Sequence, residues 1–464
     1  MTKNYDVIIV GGGPAGIFAA LELAQAAGLS ILLVEKGRDI EKRRCPVRDR
    51  GSACGACSPC NLVCGLGGAG AFSDGKLVLT SGVGGHLGEY LGKDSAEVLI
   101  KYVDELYLKF GASRGLYGMG AAVSGIERRA RKAGLRLVPM PVRHMGTENC
   151  VSVLKAMRDY LIPRVDFKLS TMVSAVLVED GEVRGIETEC GERFSCRYLV
   201  LAPGREGADW LSREAARLHL TMYNNPIDVG VRVELPVEVM AELTDVLYEV
   251  KLEFMSPTFN DQVRTFCMCP AGEVVMESTG GSDPVVTVNG HSYASRKSSN
   301  TNFALLVSTD FTKPFHEPIA YGKYLARLAN LLGGGVLVQR LGDLRAGHRS
   351  TPARIRRGRV KPTLKSAAPG DLSFALPYRH LTDLVEMLQA MDKVSPGVAS
   401  PDTLLYGLEV KFYSCRPKLS ATLETEVRNM FAVGDGTGVS RGLVQASASG
   451  LVAACEILRR GVST

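Results

Sequence analysis

Residues 5–16 read YDVIIVGGGPAG, and this stretch decides the fold that we expect for the chain. The apolar run that ends at Val10 predicts a buried strand. Glycines at positions 11, 13 and 16 fit the dinucleotide fingerprint, which needs a tight turn, a close backbone approach to a pyrophosphate and close packing of the following helix. Glu35 ends the next apolar run, 30–34, where a carboxylate can accept hydrogen bonds from a ribose. The sequence therefore predicts a bound dinucleotide.

The length of the chain indicates at least two domains. Its 464 residues exceed the roughly 250–300 at which a single hydrophobic core stops growing. Hydrophobic residues make up 45% and charged residues 22% of the sequence, as in an ordinary globular protein. The first strand begins close to the start, and no apolar run reaches the roughly 18 residues of a membrane span. We therefore expect no leader peptide, no membrane span and a cytoplasmic location.

Positive charge is concentrated in two segments, 128–136 and 345–365, of a chain whose net charge is +6. The first segment is expected to be a short polar helix with a solvated face. The second is expected to be a loop rich in arginine, which would suit an anionic substrate or an acidic redox partner. Nucleic acid is a disfavoured partner, because these charges are not interleaved with the aromatic residues of a single-strand binder.

Two later segments are expected to return to the cofactor. A strand over 197–201 ends in Ala202-Pro203-Gly204-Arg205, and a strand over 429–433 leads into Gly434-Asp435-Gly436 and a helix over about 441–459. With the N-terminal fingerprint, this order resembles the FAD-binding glutathione-reductase superfamily. The resemblance implies that Asp435 binds the ribityl hydroxyls of FAD. It also implies that the helix opening near Gly442 and Leu443 directs its amides at the flavin pyrimidine.

The glycine-rich segment 65–76, GLGGAGAFSDGK, makes the resemblance more specific. It is similar to the corresponding segment of a poorly characterised group of bacterial and archaeal FAD-dependent dehydrogenases, and a more diffuse likeness covers most of the chain. In the superfamily this segment lies along the isoalloxazine ring. Ser73 and Lys76 are expected either to stabilise an anionic reduced flavin or to form a capped turn and a surface lysine.

The fold class implied is α/β, with a Rossmann-like three-layer FAD-binding domain and an interleaved α+β substrate or cap domain. We expect residues 1–95, 145–226 and 405–464 to form the FAD-binding domain. Residues 96–144 are expected to be a helical insertion, and residues 227–404 the substrate or cap domain. The residues expected to contact FAD are Gly11, Gly13, Pro14, Ala15, Gly16, Glu35, Lys36, Gly68, Ala69, Gly70, Ser73, Asp74, Lys76, Val173, Ala202, Gly204, Arg205, Gly434, Asp435, Gly442, Leu443 and Val444.

A cluster of cysteines is the candidate for a second redox centre. Cys54, Cys57 and Cys60 have C-x2-C-x2-C spacing, and a further cysteine at position 64 completes a run that resembles the bacterial ferredoxin motif for a 4Fe–4S cluster. Ferredoxin has proline after the last cysteine, whereas here glycine follows Cys64 and a Cys-Pro dipeptide lies upstream at Cys45. The favoured ligands are therefore the cysteines at positions 45, 54, 57 and 60, with position 64 as a substitute. Structural zinc and free thiols are the alternatives.

Three further groups of residues are candidates for the site. Cys267 and Cys269 are expected to point to one face of a strand, either as redox thiols or as buried cysteines. His144 is expected to be an acid, an anion ligand or a structural histidine. Alternating side chains at 409, 411 and 413 are expected on one strand face, which either approaches the flavin or is solvated.

Two classes of function follow. The first is an FAD-dependent oxidoreductase that acts on a small organic substrate, with the cysteine centre relaying electrons to or from the flavin. No second apolar strand with GxGxxG occurs in the sequence, so the expected electron donor is NAD(P)H that diffuses in or a ferredoxin-type protein. The alternative is a flavoprotein with structural zinc that binds or modifies an anionic polymer such as RNA. Flavin monooxygenase is a lesser alternative.

Overall fold

A computed structural model of the protein describes residues 3–45, 57–278, 284–293, 297–309, 317–411 and 415–461. The chain divides into two compact units. Unit 1 comprises Met1–Gly115, Arg143–Asn225 and Ser414–Thr464, and unit 2 comprises Leu116–Val142 and Pro226–Tyr413. Part of the segment 96–144, which we expected to be a separate helical insertion, therefore falls in each unit. No helix among the described residues is long and apolar enough to cross a membrane.

Unit 1 is built around a mixed sheet. Along the chain, its strands are Lys3–Val10, Ile31–Glu35, Lys76–Val78, Asp166–Leu169, Val173–Glu179, Glu182–Thr188, Arg193–Leu201, Met222–Tyr223, Arg416–Pro417 and Met430–Ala432, and Val142–His144 spans the unit boundary. Its α-helices are Pro14–Leu23, Leu87–Leu91, Lys93–Lys109, Thr147–Leu161, Ala208–Arg217 and Leu443–Arg459. Short 3-10 turns occur at Ile40–Lys42, Gly68–Phe72, Arg205–Gly207 and Asp435–Thr437.

The parallel core of this sheet places the predicted site. Lys3–Val10 pairs in parallel with Ile31–Glu35 on one side and with Arg193–Leu201 on the other, and Arg193–Leu201 pairs in parallel with Met430–Ala432. These strands are nearly continuous apolar runs because both faces of a parallel sheet are buried. Their carboxyl ends therefore lie side by side at one edge, where open α/β sheets bind ligands.

The N-terminal helix Pro14–Leu23 packs closely on the C-terminal helix Leu443–Arg459. A Cβ atom at Gly450 would overlap the carbonyl oxygen of Ala15, so the glycine is required for the two backbones to approach. Small residues on both helices, such as Ala19 and Ala453, are completely buried. The first and last parts of the chain therefore form one layer over the sheet, although they are more than 400 residues apart.

Unit 2 is built around a second mixed sheet, which is mainly antiparallel. The strands of unit 2 along the chain are Arg136–Leu137, Ile227–Pro236, Leu252–Met255, Gln262–Cys269, Glu273–Ser278, Val286–His291, Asn300–Thr309, Leu337–Arg340, Ala368–Pro369 and Leu404–Lys411. Its helices are Ala121–Lys132, Val237–Leu247, Pro318–Gly333, Leu341–Arg345, Pro352–Arg357 and Tyr378–Asp392, with a 3-10 turn at Leu372–Phe374. The central strand Ile227–Pro236 pairs antiparallel with Asn300–Thr309 and Leu404–Lys411.

A charged pair lies inside this central region of unit 2. Arg232 is 0% exposed and donates from Nε and Nη2 to the two carboxylate oxygens of Glu409, at 2.7 and 2.9 Å. Its remaining donors reach Asn302, Asn289 and the carbonyl of Cys267. The guanidinium is therefore fully hydrogen-bonded, as a buried charge requires. The expectation of a solvated face at 409–413 is wrong for Glu409, and residue 413 lies outside the described residues.

Two other local expectations need correction. A bulge interrupts the pairing between Phe266 and Cys269, and Cys267 has a φ of +50°. Strand alternation is therefore broken there. The sulfur atoms of Cys267 and Cys269 nevertheless lie within 4.8 Å of each other, so the two thiols do come together, but not by regular alternation. The basic segment 345–365 is not simply a loop, because Pro352–Arg357 is a helix whose N-cap Thr351 accepts a hydrogen bond from the amide of Arg354. The basic segment at 128–136 does contain the expected helix, within Ala121–Lys132.

We predict that Arg232→Met destabilises the protein by about 3–5 kcal/mol, because it leaves the Glu409 carboxylate buried without its bidentate partner. Arg131→Ala is the matched control in the same unit, since its exposed ion pair with Glu127 contributes only about 0.5 kcal/mol. The midpoint of thermal unfolding, followed by calorimetry, measures both effects. Equal and small shifts for the two variants would contradict a structural role for the buried pair.

Candidate functional site

The candidate site lies at the carboxyl ends of the parallel strands of unit 1. In the sheet register Val10 is opposite Val34 on one side and Leu201 on the other, and Leu201 is opposite Ala432. Four features lie just after these positions: the glycine turn, Glu35, the Ala202–Gly204 turn and the Gly434–Asp435 turn. Segments that are far apart in the sequence are therefore neighbours here.

The first turn allows its neighbours to approach only because it consists of glycine. Gly11 has a φ of +110°, and a Cβ atom there would overlap the carbonyl oxygen of Ala202. A Cβ atom at Gly16 would likewise overlap the carbonyl oxygen of Gly11. The helix that follows has Gly13 as N-cap and Pro14 at its first turn, with no acidic residue there. Its positive end is therefore suited to a phosphate.

Glu35 organises the loops around this turn. Its side chain is buried, and its carboxylate accepts hydrogen bonds from the backbone amides of Gly12 at 2.8 Å, Gly37 at 2.8 Å and Gly65 at 2.9 Å. The sequence predicted that this carboxylate accepts hydrogen bonds from a ribose, but it did not predict the three amide partners. They supply the partial positive charge that keeps a buried carboxylate stable, and they join the fingerprint to the end of the cysteine segment.

The segment after the cysteines packs directly against the first turn. The Gly67 amide donates to the carbonyl of Gly12 at 2.8 Å. A Cβ atom at Gly68 would lie 2.9 Å from the Cα of Gly13, and one at Gly70 would lie 2.8 Å from Cδ2 of Leu443. Glycine at position 68 is thus favoured by a close backbone contact, and glycine at position 70 by the Leu443 side chain.

The Gly434–Asp435 turn completes the same surface. A Cβ atom at Gly436 would overlap the carbonyl oxygen of Gly204. Asp435 is half-buried, and its Oδ1 accepts hydrogen bonds from the Ser440 hydroxyl at 2.7 Å and from the Gly442 amide at 3.3 Å. The carboxylate therefore lies at the start of the helix Leu443–Arg459, whose first turn has no acidic residue of its own.

The loop 73–76 contains a partly buried ion pair. Lys76 Nζ lies 3.0 Å from Asp74 Oδ2, and the lysine side chain is only 8% exposed, so the expectation of a surface lysine is wrong. The Ser73 hydroxyl donates to the carbonyl of Gly70 at 3.0 Å, which is the capped turn that we considered.

The remaining predicted residues differ in their surroundings. Lys36 donates to the carbonyl of Glu206 at 3.3 Å. Val173 packs in an apolar cluster with Val10 and Val34. Arg205 and Gly442 are exposed, Ala69 and Leu443 are half-buried, and Ala15, Ala202 and Val444 are buried.

The cysteine segment is described in part. Cys54 lies outside the described residues, Cys57 is exposed, Cys45 and Cys60 are partly exposed and Cys64 is buried. Burial raises the pKa of the Cys64 thiol to about 11. Of the four described thiols, no three have sulfur atoms within 4.8 Å of one another. The described thiols of this segment therefore do not by themselves assemble a metal site.

Arg43 is a residue that the sequence did not single out. It is buried and donates to the backbone carbonyls of Asn61 at 2.9 Å, Leu62 at 2.8 Å and Leu66 at 2.8 Å. Its guanidinium also lies over the ring of Phe72, 4.6 Å from the centroid. Arg43 thus connects the end of the cysteine segment to the glycine-rich loop. Nothing in the sequence distinguishes this arginine from its basic neighbours, so its role in binding backbone carbonyls could not be predicted.

The surface formed by these segments fits a dinucleotide. Glycines at positions 11, 68 and 436 let the turns pack backbone against backbone, one helix N-terminus follows Gly13, and carboxylates stand at Glu35 and Asp435. A family profile described as FAD binding domain matches residues 6–250. The chain belongs to this FAD-binding family. Its fold is that of the FAD-dependent oxidoreductases, and FAD is its cofactor.

Two further profiles and several curated proteins are similar to parts of this FAD-binding protein or to most of it. A profile described as "FAD-dependent protein, C-terminal domain-like" matches residues 226–412, and one described as "Glucose inhibited division protein A" matches residues 364–462. An uncharacterized protein of Clostridium beijerinckii is 29% identical over 98% of this chain and 80% of its own length. The tRNA uridine 5-carboxymethylaminomethyl modification enzyme MnmG of Streptococcus pyogenes is 26% identical over 44% of this chain and 24% of its own length.

Two solved structures are similar to this chain at low identity. Glycine oxidase from Geobacillus kaustophilus is 14% identical with a TM-score of 0.41, over 99% of this chain and 95% of that one. The fumarate reductase subunit FrdA of E. coli is 14% identical with a TM-score of 0.44, over 99% of this chain and 71% of that one.

We predict that Gly436→Ala lowers FAD retention at least tenfold, because the new methyl group would displace the Gly204 turn from the site. Gly125→Ala is the control, since a Cβ atom there meets nothing within 4 Å and the residue lies inside a helix, where alanine is favoured. The ratio of FAD to protein after desalting measures the effect. Equal FAD content in the two variants would contradict the packing argument.

Proposed function

We propose that this protein uses FAD bound in unit 1 to oxidise or reduce a small organic molecule. One observation carries the proposal: glycine-lined turns from distant parts of the chain meet at the carboxyl ends of parallel strands, with Glu35 and Asp435 among them. FAD supplies the transfer of one or two electrons when it is bound.

In this proposal the pyrophosphate, the adenosine ribose and the ribityl chain of FAD each have a matching group in unit 1. The amides at the start of the helix Pro14–Leu23 hold the pyrophosphate, with the positive end of the helix dipole behind them. Glu35 accepts hydrogen bonds from the adenosine ribose with the lone pairs that its three amide partners leave available. Asp435 accepts hydrogen bonds from the ribityl chain while Ser440 and the Gly442 amide hold it in place.

The flavin ring is assigned to the loop 68–76 and the start of the helix Leu443–Arg459. Gly70 lies against Leu443, so these two segments form a continuous surface. Amides at this helix N-terminus stabilise negative charge at the pyrimidine end of a reduced ring. Lys76 contributes positive charge, which its partner Asp74 offsets in part. We assign substrate binding to unit 2, because residues 226–412 match the C-terminal domain of FAD-dependent proteins.

We predict that Asp435→Ala weakens FAD binding about tenfold or more, while Asp435→Asn has a smaller effect because its amide oxygen still accepts the Gly442 hydrogen bond. The dissociation constant of FAD, measured by titrating the apoprotein, gives the comparison. Glu189→Ala, an exposed acid in the same unit, serves as the control for a general loss of negative charge. Unchanged FAD affinity in Asp435→Ala would overturn the assignment of this carboxylate. A purified protein without any flavin absorption would overturn the proposed function itself.

The cysteine centre remains a separate proposal, supported by the spacing at positions 54, 57 and 60 and by the Cys-Pro dipeptide at position 45. We predict that protein purified without oxygen contains iron and sulfide in cluster stoichiometry. Cys57→Ser is expected to remove the iron, whereas Cys64→Ser retains it, because Cys64 is buried and is the spare thiol of the run. Elemental analysis measures both. Zinc without iron in the wild-type protein would replace the cluster with a structural metal.

A further inference from the structure

The electron donor is the part of the proposed function that the FAD site leaves open. The sequence has no second G-x-G-x-x-G turn behind an apolar strand, so a nicotinamide dinucleotide would need a site of another construction. Unit 1 contains a cleft outside the FAD surface whose lining residues suit such a ligand. The inference that follows rests on the proposed function.

The cleft lies at a small two-stranded ribbon, in which Met222–Tyr223 pairs antiparallel with Arg416–Pro417. Its volume is about 450 Å³, which falls within the usual range for small-molecule sites. Pro417 and Leu419 give it an apolar lining, and the rings of Tyr90 and Tyr223 line it as well. Tyr223 is 51% exposed, so its ring is accessible for stacking against a planar group.

Two cations line the same cleft. Arg416 Nη1 donates to Glu89 at 2.9 Å, which holds the guanidinium in a defined position. The Lys418 side chain is 59% exposed, and its ammonium lies 3.7 Å from Glu426, too far for a close ion pair. Burial raises the pKa of Tyr90, so its phenol stays neutral, whereas the Glu89 carboxylate also lines the cleft and offsets part of the positive charge. Cations next to aromatic rings match a ligand that carries both phosphate and a planar base.

A chain of polar contacts leads from the cleft to the flavin end of the FAD site. Glu89, which binds Arg416, also lies 2.6 Å from Nδ1 of His86 through its other carboxylate oxygen. Nε2 of His86 lies 3.5 Å from the guanidinium of Arg441, the residue before Gly442. The backbone amide of Arg441 donates to the carbonyl of Gly84 at 2.7 Å. The cleft and the residue before the helix Leu443–Arg459 are thus linked by this chain of polar contacts in unit 1.

We propose that this cleft binds the adenosine diphosphate half of a nicotinamide dinucleotide. The base stacks on Tyr223, and the phosphates bind Arg416 and Lys418. A simple aromatic carboxylate is a poorer match. It has one carboxylate and one ring, whereas the cleft offers two cations at different positions and two aromatic rings. In this proposal the nicotinamide half extends past Glu89 and His86 towards Arg441.

The test uses protein saturated with FAD, so that added nucleotide cannot enter the adenosine site of FAD itself. Binding of ADP and of NADP+ is measured by isothermal titration calorimetry, with adenosine and inorganic pyrophosphate as partial ligands. We expect both dinucleotide and ADP to bind, and each partial ligand to bind at least about tenfold more weakly than ADP. Lys418→Ala and Tyr223→Ala are each expected to weaken ADP binding by about tenfold.

Arg428→Ala is the matched control, because this exposed arginine of unit 1 lies 3.8 Å from Glu182, a loose pair like that of Lys418 with Glu426. It is expected to bind ADP as the wild type does. The proposal is overturned if FAD-saturated protein binds no ADP, if Arg428→Ala loses as much affinity as Lys418→Ala, or if pyrophosphate alone binds as tightly as ADP. FAD content is measured on the same samples, so loss of the FAD site, which would overturn the proposed function, is distinguished from failure of the cleft.

Discussion

Close backbone packing at the carboxyl ends of neighbouring parallel strands is the constraint on which unit 1 depends. Gly11 meets Ala202, Gly436 meets Gly204, and Gly450 meets Ala15, each at a distance that leaves no space for a Cβ atom. A side chain at any of these positions would separate the turns and widen the gap between the helices and the sheet. The same contacts bring the turns to the N-terminus of the helix Pro14–Leu23, whose first turn has no side-chain cap and suits a phosphate.

A buried charge is stabilised differently in the two units. In unit 1 the carboxylate of Glu35 is stabilised by three backbone amides, which carry only partial charges and leave acceptor capacity for a ligand. In unit 2 the guanidinium of Arg232 is bound by a full carboxylate, and its other donors are also used. The first arrangement suits a binding site, and the second suits a structural core, because nothing is left over for a partner.

The cysteine segment is connected to the candidate site through more than its position in the sequence. Gly65 is bound by Glu35, and the carbonyls of residues 61, 62 and 66 are bound by Arg43, which also lies over Phe72. The end of the cysteine segment therefore contacts, through Arg43, the loop assigned to the flavin. This connection holds whether the thiols bind iron, bind zinc or stay free, since it is made by backbone carbonyls and a buried guanidinium.

Local sequence patterns were enough to predict the α/β fold, the strand-turn-helix order and the turns at 202–204 and 434–436, because a glycine fingerprint and apolar strands depend on nearby residues. Tertiary structure alone decided which distant groups bind each other. The amides of Gly12 and Gly65 on Glu35, the contacts of Arg43 and the pairing of Arg232 with Glu409 join residues that are far apart in the chain. It also decided that Glu409 is buried and that a bulge lies between Phe266 and Cys269, since strand alternation predicts a face only where the pairing is regular. The physical reason is that backbone preferences are local, whereas burial and the partner of a charge depend on the packing of the whole unit.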